Sequence, residues 1–494
     1  MFDCSATVDP AAVLAPVPPR LFGSFVEHMG RCVYGGVFEP GSPLADADGH
    51  RSDVLELARE LGVSLVRYPG GNFLSTYRWE DGVGPPDQRP RRLDLAWRSI
   101  ESNAFGLNEF LHWTRKAAVE PMLAVNLATR GIAEACDLLE YTNFPGGTRL
   151  SDLRIAHGQR QPHGVKLWSL GNELDGPWQI GQKTATEYGR LAAETAKAMR
   201  RLDPDIELVV CGSSNERMAT FGSWDAEVLE HVYDVVDYIA VHAYFDPEGA
   251  PRAAYLASAR TMDKIIEDIG AVCDRVAGRR KRPRTVKICF DEWNVWRQSR
   301  FPGQEKLPWA EAPRLIEDEY TVEDAVVVGS LLMSLLRHSD RLAAACQAQL
   351  VNVIAPIRSE PDMPAWRQTI FYPFALTARH ARGNVLAVEP STPRWRLGSP
   401  DVDLAVTHNP EDGAITVFAM NRHRSESARL EIRMPAGDRV VREHLVIGGG
   451  GLRTTNSKAR PNRVAPRASS DHSVDRGHVT VALPPVSWTV CTSC

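Results

Sequence analysis

Short apolar runs alternate with longer amphipathic stretches from about residue 20 to about residue 375. This alternation is typical of βα units, in which buried parallel strands are covered by helices with a 3.6-residue apolar period. Eight such runs would close a (β/α)8 TIM barrel, so the predicted class is α/β. The runs interpreted as strands are residues 21–26, 64–68, 121–126, 165–170, 207–211, 238–242, 286–291 and 345–351.

Two of the predicted helices have readable ends. A T-x-x-E capping box of Thr184 and Glu187 starts a helix over residues 184–203. Ser52 is the predicted N-cap of a second helix, and Gly62 is its predicted C-terminal glycine. These signals support the βα interpretation from the residues alone.

The pattern changes after about residue 380, where short alternating segments are separated by turn residues. Such segments predict an all-β domain, a sandwich of jelly-roll-like type. The segment 448–476 is rich in Gly, Ser, Asn, Pro and charge and is interpreted as a long mobile loop. We therefore expect a barrel over residues 19–375 and a β-sandwich over 376–494. Its predicted strands are residues 405–407, 415–420, 428–433, 440–446, 479–483 and 487–491.

Charge and targeting signals narrow the class of protein. A net charge of -5 does not favour a nucleic-acid partner, and the one basic run, residues 279–284, is interpreted as a solvated loop. The apolar stretch 325–336 is too short to span a bilayer. The first residues lack a signal-peptide pattern, and the nine cysteines are scattered. A cytoplasmic protein without a membrane partner is expected.

Metal and redox chemistry have little support in the sequence. The 14 histidines include no H-E-x-x-H motif and no clustered Cys/His spacing. Cys491 and Cys494 have C-x-x-C spacing, but they end the chain after a predicted strand instead of opening a helix. We therefore expect neither a metal ion nor another cofactor.

Two carboxylates stand where a barrel active site is expected, at the carboxyl ends of strands. Asn172 and Glu173 follow the fourth predicted strand, while Asp291 and Glu292 follow the seventh or end it. Glycoside hydrolysis needs such a pair, one to protonate the leaving oxygen and one to attack the anomeric carbon or activate water. Each glutamate alone is equally consistent with a helix-start or salt-bridge carboxylate. Because side chains alternate along a strand, only one of Asp291 and Glu292 is expected in the barrel mouth.

Polar residues at the other predicted strand ends would complete a hydrogen-bonding pocket for a neutral, polyhydroxylated ligand. They are Glu27, Arg67, Asn72, Asn126, His242, Tyr244 and Gln349. Individually each is also consistent with a satisfied buried group. Trp97, Trp178 and Trp296 would offer aromatic faces to sugar C–H groups, although core packing is the commoner role of tryptophan.

Five longer segments carry a recognisable pattern. They are GSFVEHMGRCVYGG (residues 23–36), VRYPGGNFLSTYRWEDGVGP (66–85), SLGNELDGPWQIG (169–181), FDEWNVW (290–296) and QLVNVIAPI (349–357). In these segments the chain resembles the α-L-arabinofuranosidases of glycoside hydrolase family 51. The similarity covers most of residues 20–375 and, more weakly, the β domain.

The resemblance implies a retaining, exo-acting enzyme that releases terminal L-arabinofuranose from arabinan, arabinoxylan or arabino-oligosaccharides by double displacement. It implies Glu173 as the general acid/base, Glu292 as the nucleophile and Asn172 as a ligand of the sugar 2-hydroxyl. It also implies that residues 1–18 join the β-sandwich and that the chain forms a homo-oligomer, commonly a hexamer. The remaining implied residues are Glu27, Asn72, Tyr244 and Gln349 for substrate binding, and Arg67 and His242 in support.

Two other functions stay open at this point. A related retaining glycosidase acting on β-xylosides or β-glucans would use the same pair of glutamates and differ in the loops around the pocket. A catalytically silent sugar-binding protein is the alternative from another class. For a retaining enzyme, the two carboxyl groups are expected about 5 to 5.5 Å apart.

Overall fold

The computed structural model describes residues 1–361, 363–392, 401–434 and 439–493. Within the first 350 residues, eight parallel strands form a closed barrel, in which each strand is hydrogen-bonded to its neighbours in chain order. The first twelve strands are β1 (Phe2–Thr7), β2 (Val13–Pro16), β3 (Arg20–Phe25), β4 (Leu65–Tyr68), β5 (Arg92–Asp94), β6 (Ser99–Glu101), β7 (Glu120–Ala124), β8 (Leu167–Ser169), β9 (Glu207–Val210), β10 (Tyr238–Phe245), β11 (Lys287–Val295) and β12 (Leu342–Gln347). The barrel consists of β3, β4 and β7 to β12, which confirms the predicted fold class.

Helices surround the barrel and connect its strands. The α-helices are α1 (Ser52–Leu61), α2 (Leu107–Ala117), α3 (Ile132–Asn143), α4 (Arg149–Ala156), α5 (Ala185–Leu202), α6 (Ser223–Val232), α7 (Arg252–Tyr255), α8 (Ser258–Arg280), α9 (Val322–Arg337) and α10 (Phe371–His380). Short 3-10 helices lie at Asn72–Thr76, Trp79–Gly82, Pro86–Gln88, Gln298–Arg300 and Gln304–Lys306. Among the described residues, no helix combines the length and apolarity needed to cross a membrane.

Two strands run past their predicted ends, because their polar residues continue the backbone hydrogen bonding between strands. Strand β10 runs to Phe245 and not to 242, and β11 runs to Val295 and not to 291. His242, Tyr244 and Glu292 therefore lie within strands and not after them. The apolar runs mark the part of each strand packed in the barrel interior, whereas backbone hydrogen bonds extend the ladder irrespective of side-chain polarity.

The helix caps are partly as predicted. Thr184 accepts a hydrogen bond from the Glu187 N–H at the start of α5, which confirms the capping box. Gly62 ends α1 with a left-handed φ of 78°, as predicted. The predicted N-cap Ser52 is wrong, because Ser52 is the first helical residue and Arg51 occupies the cap. The buried guanidinium of Arg51 forms ion pairs with Glu39 and Asp53 and donates to the distant carbonyls of Glu360 and Met363, which holds the residue at this cap.

The remaining strands belong mainly to the β domain. They are β13 (Ile357–Glu360), β14 (Met363–Arg367), β15 (Asn384–Leu386), β16 (Pro390–Ser391), β17 (Val402–His408), β18 (Ile415–Asn421), β19 (Ala428–Arg433), β20 (Val441–Gly448), β21 (Arg467–Ala468), β22 (His472–Asp475), β23 (His478–Leu483) and β24 (Ser487–Ser493). Two sheets, β16-β1-β19-β23-β22 and β2-β15-β17-β18-β24-β20-β21, share an apolar core that includes Val417, Leu430 and Val481. The predicted β-sandwich is confirmed, and β1 and β2 are strands of its two sheets.

The basic run 279–284 is not wholly a solvated loop. Arg279 and Arg280 form the last turn of α8, and Arg280 and Arg282 both bind Asp234. The described cysteines are free thiols. Cys491 is buried in β24, while Cys494 lies outside the described residues.

The segment 448–476, predicted to be a free mobile loop, is attached to the barrel. It contains β21 and β22. At the start of α9, the N–H groups of Val322 and Glu323 donate to the carbonyls of Thr454 and Leu452, at 3.0 and 3.1 Å. The β domain thus satisfies donors that a helix N-terminus leaves unpaired.

Asn456 anchors this segment. It is buried, and its Nδ2 donates to the carbonyls of Arg367 and Val464, each at 3.0 Å. Its Oδ1 accepts from the Val464 N–H at 2.7 Å. Local composition predicted a loop because these partners become neighbours only in the folded chain.

Replacing Asn456 by Ala is expected to lower the free energy of unfolding by about 2–3 kcal/mol, because three hydrogen bonds are lost and buried carbonyls are left without a donor. Urea unfolding measures this change. The matched control is Asn462→Ala, at an exposed position of the same segment, with an expected change within about 0.5 kcal/mol. Equal stability of the two variants would show that the segment is not anchored through Asn456.

Candidate active site

A cavity of about 450 Å³ opens at the carboxyl ends of the barrel strands. The polar residues selected from the sequence that line it are Glu27, Asn72, Glu173, Tyr244, Glu292 and Gln349. Those buried in contact with the lining residues are Arg67, Asn172 and His242. Asn126 does not join them, because its Nδ2 donates to the Tyr77 carbonyl and to Thr129 in a neighbouring loop.

Glu292 is held by two donors that lie on two different barrel strands. Arg67, on β4, donates from Nη1 to one carboxylate oxygen at 2.8 Å. Tyr244, on β10, donates its hydroxyl to the other oxygen at 2.9 Å. Arg67 also donates from Nη2 to Oδ1 of Asn172 at 2.6 Å. The Glu292 carboxylate is thereby fixed with one edge towards the cavity.

Glu173 sits on a strained turn after β8. Its φ is 46°, which costs a non-glycine residue about 1–2 kcal/mol, and Gly171 precedes it with φ 116°. One carboxylate oxygen lies 2.9 Å from Nδ1 of His242. The other accepts from the indole N–H of Trp178 at 2.7 Å. Backbone strain at this position is offset by contacts that fix the side chain at the cavity wall.

The two glutamates are close together. A carboxylate oxygen of Glu173, one of Glu292 and a ring nitrogen of His242 all lie within 4.8 Å of one another. Groups at this spacing also resemble a metal-ligand set. However, each carboxylate oxygen of the two glutamates already faces an N–H or O–H group. The arrangement therefore needs no metal ion to hold the pair.

Asp291 and Glu292 do not alternate as a regular strand requires. Between the pairs Ala240–Cys289 and His242–Glu292, β10 has one residue and β11 has two, so β11 contains one extra residue. Such a bulge changes side-chain direction, and both carboxylates reach Arg67, at 3.3 Å for Asp291 and 2.8 Å for Glu292. As expected, only one of the two, Glu292, lines the cavity, but both contact Arg67 instead of pointing to opposite faces of the strand.

Two cations face two carboxylates in this cluster. Burial lowers the pKa of His242, but the charges of Glu292 and Asp291 outweigh burial and hold it well above its usual value. Burial raises the pKa of Asp291, and the charges of Arg67 and His242 reverse this and hold it below its usual value. For Glu292, burial and the charge of Glu173 raise the pKa above its usual value, although the charges of His242 and Arg67 oppose the rise.

Glu27 forms another wall of the cavity. Its carboxyl oxygens accept from the Phe73 N–H at 3.1 Å, the Trp97 indole at 2.7 Å and the Gln349 amide at 2.8 Å. Burial raises its pKa to about 8, despite those donors, so Glu27 is mostly protonated at neutral pH. Gly71 lies against it with φ 65°, and a Cβ there would stand 2.2 Å from the carboxyl.

The sequence analysis missed several residues at the site. Gln179 donates to Oδ1 of Asn72 at 2.9 Å, alongside the Asn172 amide at 3.1 Å. It lies within SLGNELDGPWQIG, but no strand end marks it. Trp97, Trp178 and Trp296, which were selected from the sequence, line the cavity as expected. Loop residues from 214–217 and 298–305 were not selected, and they line it too. Position in the loops after β9 and β11 is the only signal that sequence offers for them.

A barrel with two close glutamates in a polar cavity at its carboxyl end has the architecture of a glycoside hydrolase. Comparison with known proteins identifies the family. A profile described as "Alpha-L-arabinofuranosidase 1 domain" matches residues 57–261, and one described as "Alpha-L-arabinofuranosidase C-terminal domain" matches residues 291–487.

Individual relatives match almost the whole chain. An intracellular exo-α-(1→5)-L-arabinofuranosidase of Streptomyces lividans is 53% identical over 98% of this chain and 74% of its own length. An exo-α-(1→6)-L-arabinofuranosidase of Bifidobacterium longum is 50% identical over 98% of this chain and 95% of its own. The solved structure of a family 51 α-L-arabinofuranosidase from Bifidobacterium longum superposes with a TM-score of 0.95 at 42% identity, covering 100% of this chain and 99% of that one. The chain is a glycoside hydrolase and belongs to the α-L-arabinofuranosidases of family 51.

Gly71→Ala is expected to lower kcat/KM on an aryl α-L-arabinofuranoside by at least about 100-fold, a loss of about 2.7 kcal/mol in transition-state stabilisation. The added methyl group would displace the Glu27 carboxyl. Gly41→Ala is the matched control: Gly41 also has a left-handed φ, 88°, but a Cβ there meets nothing within 4 Å. It should lose about 1 kcal/mol of stability and keep its activity. Equal activities would indicate that the Glu27 position is unimportant.

Proposed function

We propose that the chain is a retaining, exo-acting α-L-arabinofuranosidase that releases terminal L-arabinofuranose by double displacement. The observation that carries this proposal is the proximity of Glu173 and Glu292, whose nearest oxygens lie within 4.8 Å. Inverting enzymes separate their carboxyl groups by about 6.5–9.5 Å to admit a water molecule, whereas a shorter spacing permits direct attack. Proton NMR of the first-formed sugar tests the proposal, since an inverted anomer would contradict it.

In the first step, Glu292 is the nucleophile and Glu173 the acid. A carboxylate oxygen of Glu292 attacks the anomeric carbon while Glu173 transfers its proton to the glycosidic oxygen, and the bond between that carbon and oxygen breaks. The products are an arabinosyl ester of Glu292 and a free alcohol. Arg67 and Tyr244 hold the Glu292 carboxylate oriented for attack, and the charges of His242 and Arg67 favour its ionised form against the effect of burial.

In the second step, Glu173 acts as the base. It now lacks its proton and accepts one from a water molecule, whose oxygen attacks the same anomeric carbon. The ester bond to Glu292 breaks, L-arabinose leaves with its original configuration, and Glu173 is protonated again. Two inversions at one carbon give net retention.

Substrate binding follows from the polar lining. The protonated Glu27 can both donate and accept, which suits a sugar hydroxyl, and Asn72, Asn172 and Gln349 supply further amide groups. The tryptophans at the cavity offer apolar faces to C–H groups. We assign Asn172 to the 2-hydroxyl, because Arg67 and Asn72 fix its amide beside the nucleophile.

The substrates we propose are arabinan, arabinoxylan and arabino-oligosaccharides. The two curated relatives named above differ in linkage, (1→5) and (1→6), at nearly equal identity. The linkage preference therefore depends on the loops that line the cavity, residues 214–217 and 298–305. Five relatives are named intracellular, and we propose the cytoplasm for this chain as well.

We further propose a catalytic domain over residues 19–375, and a second domain over 376–494 joined by 1–18. The pairing of β1 with β19 and of β2 with β15 supports the inclusion of the N-terminal strands. We also propose that the chain forms a homo-oligomer, which the family resemblance indicates to be a hexamer. Light scattering tests this assembly.

Glu292→Gln is expected to reduce kcat by several orders of magnitude on every substrate, because the amide keeps the shape but lacks the nucleophilic anion. Glu120→Gln is the control: Glu120 also binds an arginine, Arg20, but at the opposite end of the barrel, and its loss should leave kcat unchanged. A mechanism-based furanoside inhibitor followed by peptide mass mapping should label Glu292. Labelling of Asp291, or no label on residues 288–296, would contradict the assignment.

Glu173→Ala is expected to impair substrates with poor leaving groups far more than activated aryl glycosides, because only the former need protonation to depart. Azide should restore part of the turnover by entering the space left by the side chain and attacking the ester. Rates on a series of aryl leaving groups provide the measurement. Equal losses across the series without azide rescue would rule out an acid/base role.

A further inference from the structure

Asp291 is a carboxylate at the site that the proposed reaction does not use. It is fully buried, with 0% of its surface exposed, and does not line the cavity. One of its oxygens lies 3.3 Å from Nε of Arg67, and the other lies 3.2 Å from Nε2 of His242. Burying a carboxylate costs free energy unless a nearby opposite charge compensates it, and these two contacts provide that compensation for Asp291.

Each of the two cations faces the cavity residues from its other side. Arg67 donates from Nη1 to Glu292, and His242 places Nδ1 2.9 Å from Glu173. Asp291 therefore contacts both cations without lining the cavity, whereas Glu292 and Glu173 contact them from the cavity wall.

We propose that Asp291 is a positioning residue for the hydrolytic reaction: it holds Arg67 against the nucleophile and keeps His242 oriented and protonated towards the acid/base. This inference rests on the roles given above to Glu292 and Glu173. Asp291 touches no reacting atom and acts through its two cationic partners.

The reason is electrostatic. Arg67 and His242 are both buried, and two neighbouring cations repel each other in a low-dielectric interior. Glu292 alone does not balance them, and in the first step its charge is consumed when it forms the ester. In that intermediate Glu173 has given up its proton and is an anion beside His242, but among the described residues Asp291 is the anion that still contacts Arg67, and it contacts His242 as well. Its charge thus supports the cluster when Glu292 cannot.

The other titratable groups that interact electrostatically with Asp291 are neutral. They are the phenol of Tyr188 on α5 and the thiols of Cys211 after β9, Cys289 on β11 and Cys346 on β12. Burial raises the pKa of each, to about 12 for Cys211. Tyr244 on β10 is likewise held neutral, because burial and then Glu292 raise its pKa. The charges that matter are therefore Arg67, His242, Glu173 and Glu292.

Asp291→Asn removes the charge at nearly constant volume. Loss of a nearby anion lowers the pKa of every neighbouring group, so both limbs of the kcat/KM profile should move towards lower pH by about one pH unit. At neutral pH, kcat should fall at least about tenfold while KM stays within about twofold, because the substrate-binding residues are untouched. A loss of activity with the pH profile in place would assign Asp291 a merely structural role and overturn the inference.

Asp263→Asn is the matched control. Asp263, on α8, also contacts one arginine and one histidine, with Arg337 at 3.0 Å and His338 at 3.2 Å, but behind the barrel wall. This variant should lose thermal stability and keep the limbs of its pH profile. If it shifts the profile as Asp291→Asn does, the effect is general and the inference fails.

A measurement on the unaltered protein covers the case in which Asp291→Asn does not fold. Nitrogen-15 NMR of histidine-labelled enzyme, with His242 assigned through His242→Asn, reports the protonation of its ring. Two protonated nitrogens at pH 7.5 are expected, and a neutral ring would overturn the inference. Failure of the proposed function is distinct, since it would appear as full activity in Glu292→Gln whatever the state of His242.

Discussion

The buried guanidinium of Arg67 is the interaction on which the site depends. It contacts the nucleophile candidate Glu292, the amide of Asn172 and the carboxylate of Asp291, which come from β11 and from the end of β8. A planar guanidinium with five donors can serve these partners at once, whereas a lysine ammonium lacks the fixed fork. Through this one side chain, β4 is linked across the barrel interior to strands that are not its neighbours.

A charged cluster of this kind is unfavourable unless its members compensate one another. Arg67 and His242 are balanced by Asp291 and Glu292, so the formal charges of these four groups cancel before substrate binds. Removing one member leaves the others buried and unpaired, which costs more than the ion pair itself contributes. The extra residue in β11 makes this balance possible because it lets adjacent carboxylates reach the same guanidinium.

The β domain also contacts the barrel close to a loop that lines the cavity. Carbonyls of its 448–476 segment accept the first N–H groups of α9, the helix that follows β11. Between β11 and α9 runs the loop whose residues 298–305 line the cavity. Anchoring of this segment by Asn456 therefore places the second domain in direct contact with an element next to the active-site loop.

The sequence by itself determined the barrel, the β-sandwich and most of the polar lining. Strand and helix periods are local properties, and the carboxyl ends of parallel strands must meet at one end of a barrel, so Glu173, Glu292, Glu27 and Gln349 were found from their order in the chain. The family resemblance then separated Glu292 from Asp291, which local alternation could not.

Other features were decided by the tertiary structure alone. The bulge in β11 depends on pairing with β10 and β12. It lets the adjacent carboxylates of Asp291 and Glu292 both contact Arg67, which alternation along a regular strand does not allow. Gln179 and Asn456 acquire partners such as Asn72 and Arg367 only when distant segments meet. Arg51, at the cap of α1, likewise donates to carbonyls about 310 residues further along the chain. Side-chain periodicity records which face is buried, whereas a hydrogen bond or an ion pair depends on the position of both partners in space.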